Sequence, residues 1–339
     1  MPEGFTFILI VILGLAILFD YINGFHDTAN AIATSVSTRA LRPEQAIALS
    51  ATANFVGALT GTAVATTIGK GLIDEKTINA VDPHLTYVAA AIIGAIVWNL
   101  LTWRLGIPSS SSHSLIGGLI GASIVAAGTG VLKVDGIVGK VLFPLVTSPV
   151  LGVVIGFGFM VVLLNLFRRA HPARINERFR RLQVVSAAFM AFSHGSNDAQ
   201  KTMGVMALAL FSAGVIPKFE IPTLVILVAA SAISLGTAAG GWRIIRTMGQ
   251  RVVKLDPVHG FAAETTAATI ILGASHFGMP VSTTHVISSA IIGVGASEGL
   301  GAIHWGVARG ILVAWVLTIP AAAAMAALAF LVLRPILGA

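Results

Sequence analysis

Two short stretches of this chain set acidic and amide side chains inside apolar sequence: Gly24-Phe25-His26-Asp27-Thr28-Ala29-Asn30, and Gly195-Ser196-Asn197-Asp198-Ala199-Gln200-Lys201. A charge at membrane depth costs at least ~3 kcal/mol, so such residues usually serve a function. Two further stretches carry hydroxyls. They are Gly106-Ile107-Pro108-Ser109-Ser110-Ser111-Ser112-His113 and Gly278-Met279-Pro280-Val281-Ser282-Thr283-Thr284-His285. Each leads into an apolar run, where hydroxyls and the free N–H groups of a helix start form an anion site. Asp27 and Asp198 would repel a bare anion. The four stretches make chemical sense together if a proton or cation lies between the carboxylates and a tetrahedral oxyanion.

The spacing says how such a site is built. Asp27 and Asp198 are 171 residues apart, and His113 and His285 are 172 apart. Two different motifs at one spacing mean that the whole half-chain is repeated. Of the 339 residues, 56% are hydrophobic and only 10% charged, and the mean hydropathy is +0.91. A soluble domain carries roughly 25% charged residues, so this composition is that of a membrane protein. There is no cysteine, which excludes disulfide, thiolate-metal and thiol-nucleophile chemistry. The net charge of +7 sits largely in Arg clusters between apolar runs, a topology signal facing anionic lipid and not nucleic acid. The first apolar run has no basic leader and no Ala-x-Ala cleavage pattern, so it reads as a retained span.

Spans need about 20 apolar residues. The first is expected over 5–38, broken at Asn23-Gly24 so that Asp27 and Thr28 cap a half-helix inside the membrane. The second is expected over 45–68. A hairpin follows, with arms 85–106 and 115–127 and the serines at its tip, and a span over 138–167 ends the half. The second half repeats the pattern: a broken span over 184–213, a span over 221–245, a hairpin over 258–296 with its tip at 280–285, and a last span over 303–333. If each hairpin makes no net crossing, the halves run in opposite senses. With both termini outside, twelve basic residues fall inside (Arg39, Arg42, the six Arg of 168–181, Arg243, Arg246, Arg251 and Lys254) and six outside, in line with the positive-inside rule. The predicted fold class is therefore an all-α polytopic membrane protein of two inverted-topology repeats, 1–168 and 183–339, each with a broken transmembrane helix and a re-entrant hairpin. They are joined by a basic cytoplasmic linker, 169–182. Inverted repeats with discontinuous helices meeting near the midplane are the architecture of secondary transporters. No G-x-x-x-x-G-K-[ST] is present, so transport is expected to draw on an ion gradient.

At these residues the chain resembles the inorganic phosphate transporter (PiT) family over essentially its whole length. Gly24–Ala31 and His194–Asp198 are similar to its two copies of a G-A-N-D-x-A-N-A signature. Pro280–His285 and Ser109–His113 resemble its hairpin-tip motif. The resemblance implies phosphate uptake with H⁺ or Na⁺ across the cell (inner) membrane, without a cofactor. It implies phosphate binding by Ser110, Ser111, Ser112, Ser282, Thr283 and Thr284, joined here by Lys201. It also implies cation or proton coupling through Asp27, Asn30, Asn197 and Asp198, the metal ligands if Na⁺ is the ion, to which His26 and Glu264 are added as candidates. His26 stands where the first signature has Asn, and Lys201 where the second has its later Asn. An ammonium cannot ligate Na⁺ as an amide oxygen does. A bacterial-type branch of the family is similar in its Gln-Lys pair, and it is associated with proton coupling and with phosphate carried as a neutral divalent-metal complex. The expected partners are inorganic phosphate, membrane lipid and a second copy in a homodimer, with no nucleic acid. His113 and His285 are either satisfied helix-start residues or else ligands or proton carriers, and Arg104 is read as reaching the cytoplasmic cavity. A permease for another oxyanion, such as sulfate, would share the architecture. An intramembrane hydrolase using Ser112 and His113 or His285 is the enzymatic alternative.

Overall fold

The protein is described by a computed structural model covering residues 3–82, 85–240, 244, 247 and 252–337. Arg243, Arg246 and Arg251 of the basic count lie outside the described residues. Among the described residues the chain is helical, apart from turns and one isolated bridge between Ile73 and Leu132. The first half comprises α1 (Glu3–Ser37), α2 (Pro43–Ala58), α3 (Ala63–Lys70), α4 (Glu75–Val81), α5 (Thr86–Leu105), α6 (Ser111–Ala127) and α7 (Val134–Phe167), the last with a π turn at Val138–Leu142. The second comprises α8 (Pro172–Ser212), α9 (Thr223–Ala239), α10 (Pro257–His276), α11 (Thr283–Ala296) and α12 (Trp305–Leu337).

The apolar side chains gather in two clusters, and the polar stretches lie between them. On α1, Ile8 to Ile22 belong to the first cluster and Ala29 to Ile32 to the second. On α8 the order is reversed, with Phe179 to Ala191 in the second cluster and Ala199 to Met206 in the first. The two long helices therefore run antiparallel. Side-chain bonds agree, since Thr38 pairs with Gln183 while Asp27 approaches Asp198. Packing is reciprocal as well: α1 lies on α9 as α8 lies on α2, and α6 packs on α12 as α11 packs on α7. α7 and α12 turn apolar residues such as Val154 and Val316 outward, as lipid-facing helices do.

Both hairpins form at the expected places. α5 ends at Gly106 and α10 ends beside Gly278, each at positive φ (67° and 66°), a backbone state that glycine adopts without strain. The following Pro108 and Pro280 prevent the helix from resuming. Ser110 and Ser282 then restart it by accepting the backbone N–H of His113 (3.1 Å) and His285 (3.2 Å). α5 and α6 are antiparallel, since Ser114 donates to Asn99 at 2.8 Å while Gly118 lies against Ala91.

Two expectations need correction. α1 is unbroken at Asn23-Gly24, and α8 runs unbroken through Gly195-Ser196-Asn197. The glycines serve close approach: a Cβ at Gly24 would lie 2.2 Å from the Ile233 carbonyl, and one at Gly195 would lie 2.1 Å from that of Asn54. Small residues at such crossings let helix backbones meet. The break falls in the second span instead, where α2 and α3 meet at a 69° bend. Free N–H groups at a break inside lipid need partners from the protein. The Gln200 side-chain oxygen accepts from Val64 N at 2.8 Å and so caps α3. Within the predicted linker, 169–182, the exposed first turns of α8 begin at Pro172.

Candidate functional site

The two hairpin tips meet the middles of α1 and α8, and most of the predicted site residues arrive there buried. Carboxylate oxygens of Asp27 and Asp198 and a ring nitrogen of His194 all lie within 4.8 Å of one another. Around Asp27, His26 Nδ1 donates to Oδ1 at 2.6 Å. Ser111 Oγ lies 2.7 Å from Asp27 Oδ2 and 2.5 Å from Asn23 Oδ1, so one hydroxyl proton serves a carboxylate and an amide oxygen. Around Asp198, Thr283 donates at 3.1 Å, and the Lys201 ammonium binds Asp198, Ser112 Oγ and the Val281 carbonyl (3.1 Å). Asn30 closes the ring by donating to Thr283 (3.2 Å) and Thr284 (2.9 Å). Each tip thus offers its hydroxyls to the carboxylate of one long helix, and Lys201 spans both tips. Lys201 is 1% exposed, so its charge stays in the protein and does not snorkel to the interface.

Other predicted residues stand off this centre. Ser110 and Ser282 turn their hydroxyls back to cap α6 and α11. Asn197 donates to Ser275 (2.7 Å) and the Met279 carbonyl (3.3 Å), tying α8 to the second hairpin. Glu264 occupies a separate buried knot, where Thr34 (2.5 Å), Ser186 (2.5 Å) and Gln183 (3.1 Å) all donate to it. His113 and His285 face each other with ring centroids 4.8 Å apart, and His285 stacks on Trp315 at 4.1 Å. Arg104 is exposed in the last turn of α5.

Several contributors carried no assigned role in the sequence reading. His194 lies one turn before Asp198 and points the same way, with Nε2 3.1 Å from Asp198 Oδ2 and Nδ1 3.0 Å from Asn54 Oδ1. That i, i+4 spacing on an apolar helix was the available signal. Asn23 lies one turn before Asp27 in the same way. Thr102, which accepts from Ser109 at 2.8 Å and stands 3.2 Å from His26 Nε2, comes from α5 and has no sequence signal at all.

Chemically, the centre holds two carboxylates against one ammonium. The deficit of positive charge is sharpened by His194. Asn54 donates its amide to Thr237 (2.9 Å) and keeps its oxygen toward His194 Nδ1, so that nitrogen carries a hydrogen. Nε2 then faces a carboxylate oxygen with a lone pair unless a proton or a cation stands between them. Hydroxyls, an ammonium and two helix N-termini beside it are donors suited to an oxyanion.

Residues 23–326 match the Phosphate transporter family. Among curated relatives, the chain is 48% identical over 330 residues to a "Probable low-affinity inorganic phosphate transporter" of Bacillus subtilis, covering 97% of each chain. It is 46% identical over 325 residues to one of the same description from Rhizobium meliloti, covering 95% of this chain and 96% of that one. A solved structure titled "The sodium-dependent phosphate transporter" superposes with a TM-score of 0.89 at 29% identity, over 97% of this chain and 99% of the other.

Proposed function

The chain belongs to the phosphate transporter family, and from that premise we propose that it imports inorganic phosphate across the cell membrane by cation-coupled symport, with the proton as the preferred ion. In this reading Ser111, Ser112, Thr283, Thr284 and Lys201 receive the phosphate, which displaces their present bonds to carboxylates. Asp27, Asp198, Asn30, His26 and His194 hold the coupling charge. The two halves act as inverted repeats, which the antiparallel α1 and α8 support. Both termini lie outside, so that the basic start of α8 faces the cytoplasm.

The observation that carries the coupling is the excess of buried negative charge. Adding a phosphate anion to two carboxylates and one ammonium would leave several negative charges in a low-dielectric centre, which nothing short of compensating protons or cations makes tolerable. The proton is preferred over Na⁺ because the Lys201 ammonium already fills a cationic position on Asp198. A second reading has its own support: Asp27, His194 and Asp198 form a mixed oxygen and nitrogen set that a divalent ion accepts more readily than Na⁺, which fits phosphate carried as a metal complex. The hydrolase alternative falls with the family. Ser112 Oγ is bonded to Lys201 and directed at the Val281 carbonyl (3.3 Å), while the His113 ring packs on His285.

The test is uptake of labelled phosphate into proteoliposomes under imposed gradients. An inward pH gradient is expected to drive accumulation, with arsenate competing and sulfate not. Accumulation driven by Na⁺ at fixed pH, and not by the pH gradient, rejects the proton. Competition by sulfate rejects phosphate selectivity.

A further inference from the structure

Asp20 is the only carboxylate among the described residues with both oxygens buried and without a hydrogen-bond partner. The other buried acids are all supplied. Asp27 has His26 and Ser111, Asp198 has Lys201 and Thr283, Glu264 has three donors, and Asp82 has the Tyr87 N–H. Asp20 is 0% exposed, in the middle of α1. Asn23 of its own helix and Thr202 of α8 present polar atoms to it without closing a hydrogen bond, and the Thr202 hydroxyl is itself unpartnered. The charged groups facing it are Asp198 and Lys201, both from α8, and these two neutralise each other.

An ionised carboxylate sealed from water, with no hydrogen bond closed to it and the nearby ammonium already paired with Asp198, is not a stable arrangement, and such a group takes up a proton. Position adds to chemistry. Asp20, Asn23 and Asp27 follow one face of α1 at i, i+3 and i+7, so Asp20 sits two turns, about 10 Å, from Asp27 along the seam with α8. Resting on the proton-symport reading above, we propose that Asp20 carries a symported proton. It is loaded from the outer side, held as the neutral acid while the site is closed, and released when opening toward the cytoplasm hydrates the carboxylate. One proton enters and one leaves per cycle, so charge balances without any other reactant.

The experiment compares wild type, Asp20→Asn and Asp20→Glu in proteoliposomes. Asp20→Asn mimics the protonated acid permanently. Phosphate–phosphate counterflow is expected to stay within about twofold of wild type, while accumulation driven by a pH gradient falls at least tenfold. Proton entry, followed with a luminal pH dye, is expected to drop by one per phosphate. Asp20→Glu is expected to restore coupled uptake with a displaced pH profile, and it carries the test alone if the Asn variant does not insert. Unchanged proton entry in Asp20→Asn overturns the proposal, as does an unchanged pH profile in Asp20→Glu. Equal loss of counterflow and of driven uptake, unrescued by Glu, also overturns it, marking a structural role. Failure of the underlying reading looks different: the wild type itself would then ignore the pH gradient.

Discussion

The carboxylates of Asp27 and Asp198, 171 residues apart in sequence, come within 4.8 Å of each other in the middle of the molecule. Neither acid approaches the other without help. His26 and Ser111 serve the first, and Lys201 and Thr283 the second. The pair is thus held by one side chain from its own helix and one from a hairpin tip in each case.

The two acids are not equivalent under substitution. Asp198→Asn leaves the Lys201 ammonium buried without its counter-charge, which costs about 3–5 kcal/mol. Asp27→Asn strands no cation. Both variants are expected to lose at least tenfold in phosphate uptake. Asp198→Asn alone is expected to show a large drop in thermal stability in detergent, and equal stability of the two would contradict the Lys201 pairing.

Lys201→Asn exchanges an ammonium for an amide oxygen able to ligate Na⁺. Uptake by this variant is expected to depend on external Na⁺ more strongly than wild-type uptake does. Flux measured at fixed pH with Na⁺ replaced by choline reads this directly, and a variant indifferent to Na⁺ would remove Lys201 from the choice of ion.

Glu264→Gln places an NH₂ where Thr34, Ser186 and Gln183 all donate, so at least one donor loses its acceptor. The cost is about 1–3 kcal/mol. The loss is expected to appear as faster hydrogen exchange where α1, α8 and α10 meet, with coupled uptake reduced at least tenfold.

Gly24→Ala separates a structural glycine from a hinge. A hinge tolerates alanine, whereas a Cβ at 2.2 Å from the Ile233 carbonyl forces α1 and α9 apart. Overpacking of this kind costs about 1–3 kcal/mol. Thermal stability of the purified variant is expected to fall by that amount, and wild-type stability would restore the broken-helix reading.

At the mouth of the second hairpin, His259 bridges Asp256 (2.7 Å) and Glu298 (3.1 Å). Partial burial opposes the Asp256 charge, but hydrogen bonds from the His259 ring and from the N–H groups of His259 and Val258 outweigh it and hold the carboxyl below its usual range. A depressed folded pKa gives stability that is present above the unfolded value, about 3.9, and lost as pH falls through the folded one. Exchange protection at 257–260 is therefore expected to persist at pH 5 and to fade only below about pH 4. Fading above pH 5 would contradict the assignment.

What the sequence determined by itself was the pairing of its motifs, the hairpins and the family of chemistry. Gly-x-Pro followed by Ser/Thr ends one helix and starts another by local rules, so both tips were legible from Gly106 to His113 and from Gly278 to His285. Acids placed in apolar stretches declared themselves by their cost in lipid, and Asp20 could have been read by the same rule. Only the tertiary structure decided whether Gly24 and Gly195 break a helix or let another helix approach, because both roles ask for a residue without a side chain. It also decided that the bend lies between α2 and α3, where Gln200 from a distant helix supplies the missing acceptor. Thr102 joined the site in the same way. Hydrogen-bond partners drawn from other helices leave no periodic trace in their own segment, and only packing brings them together.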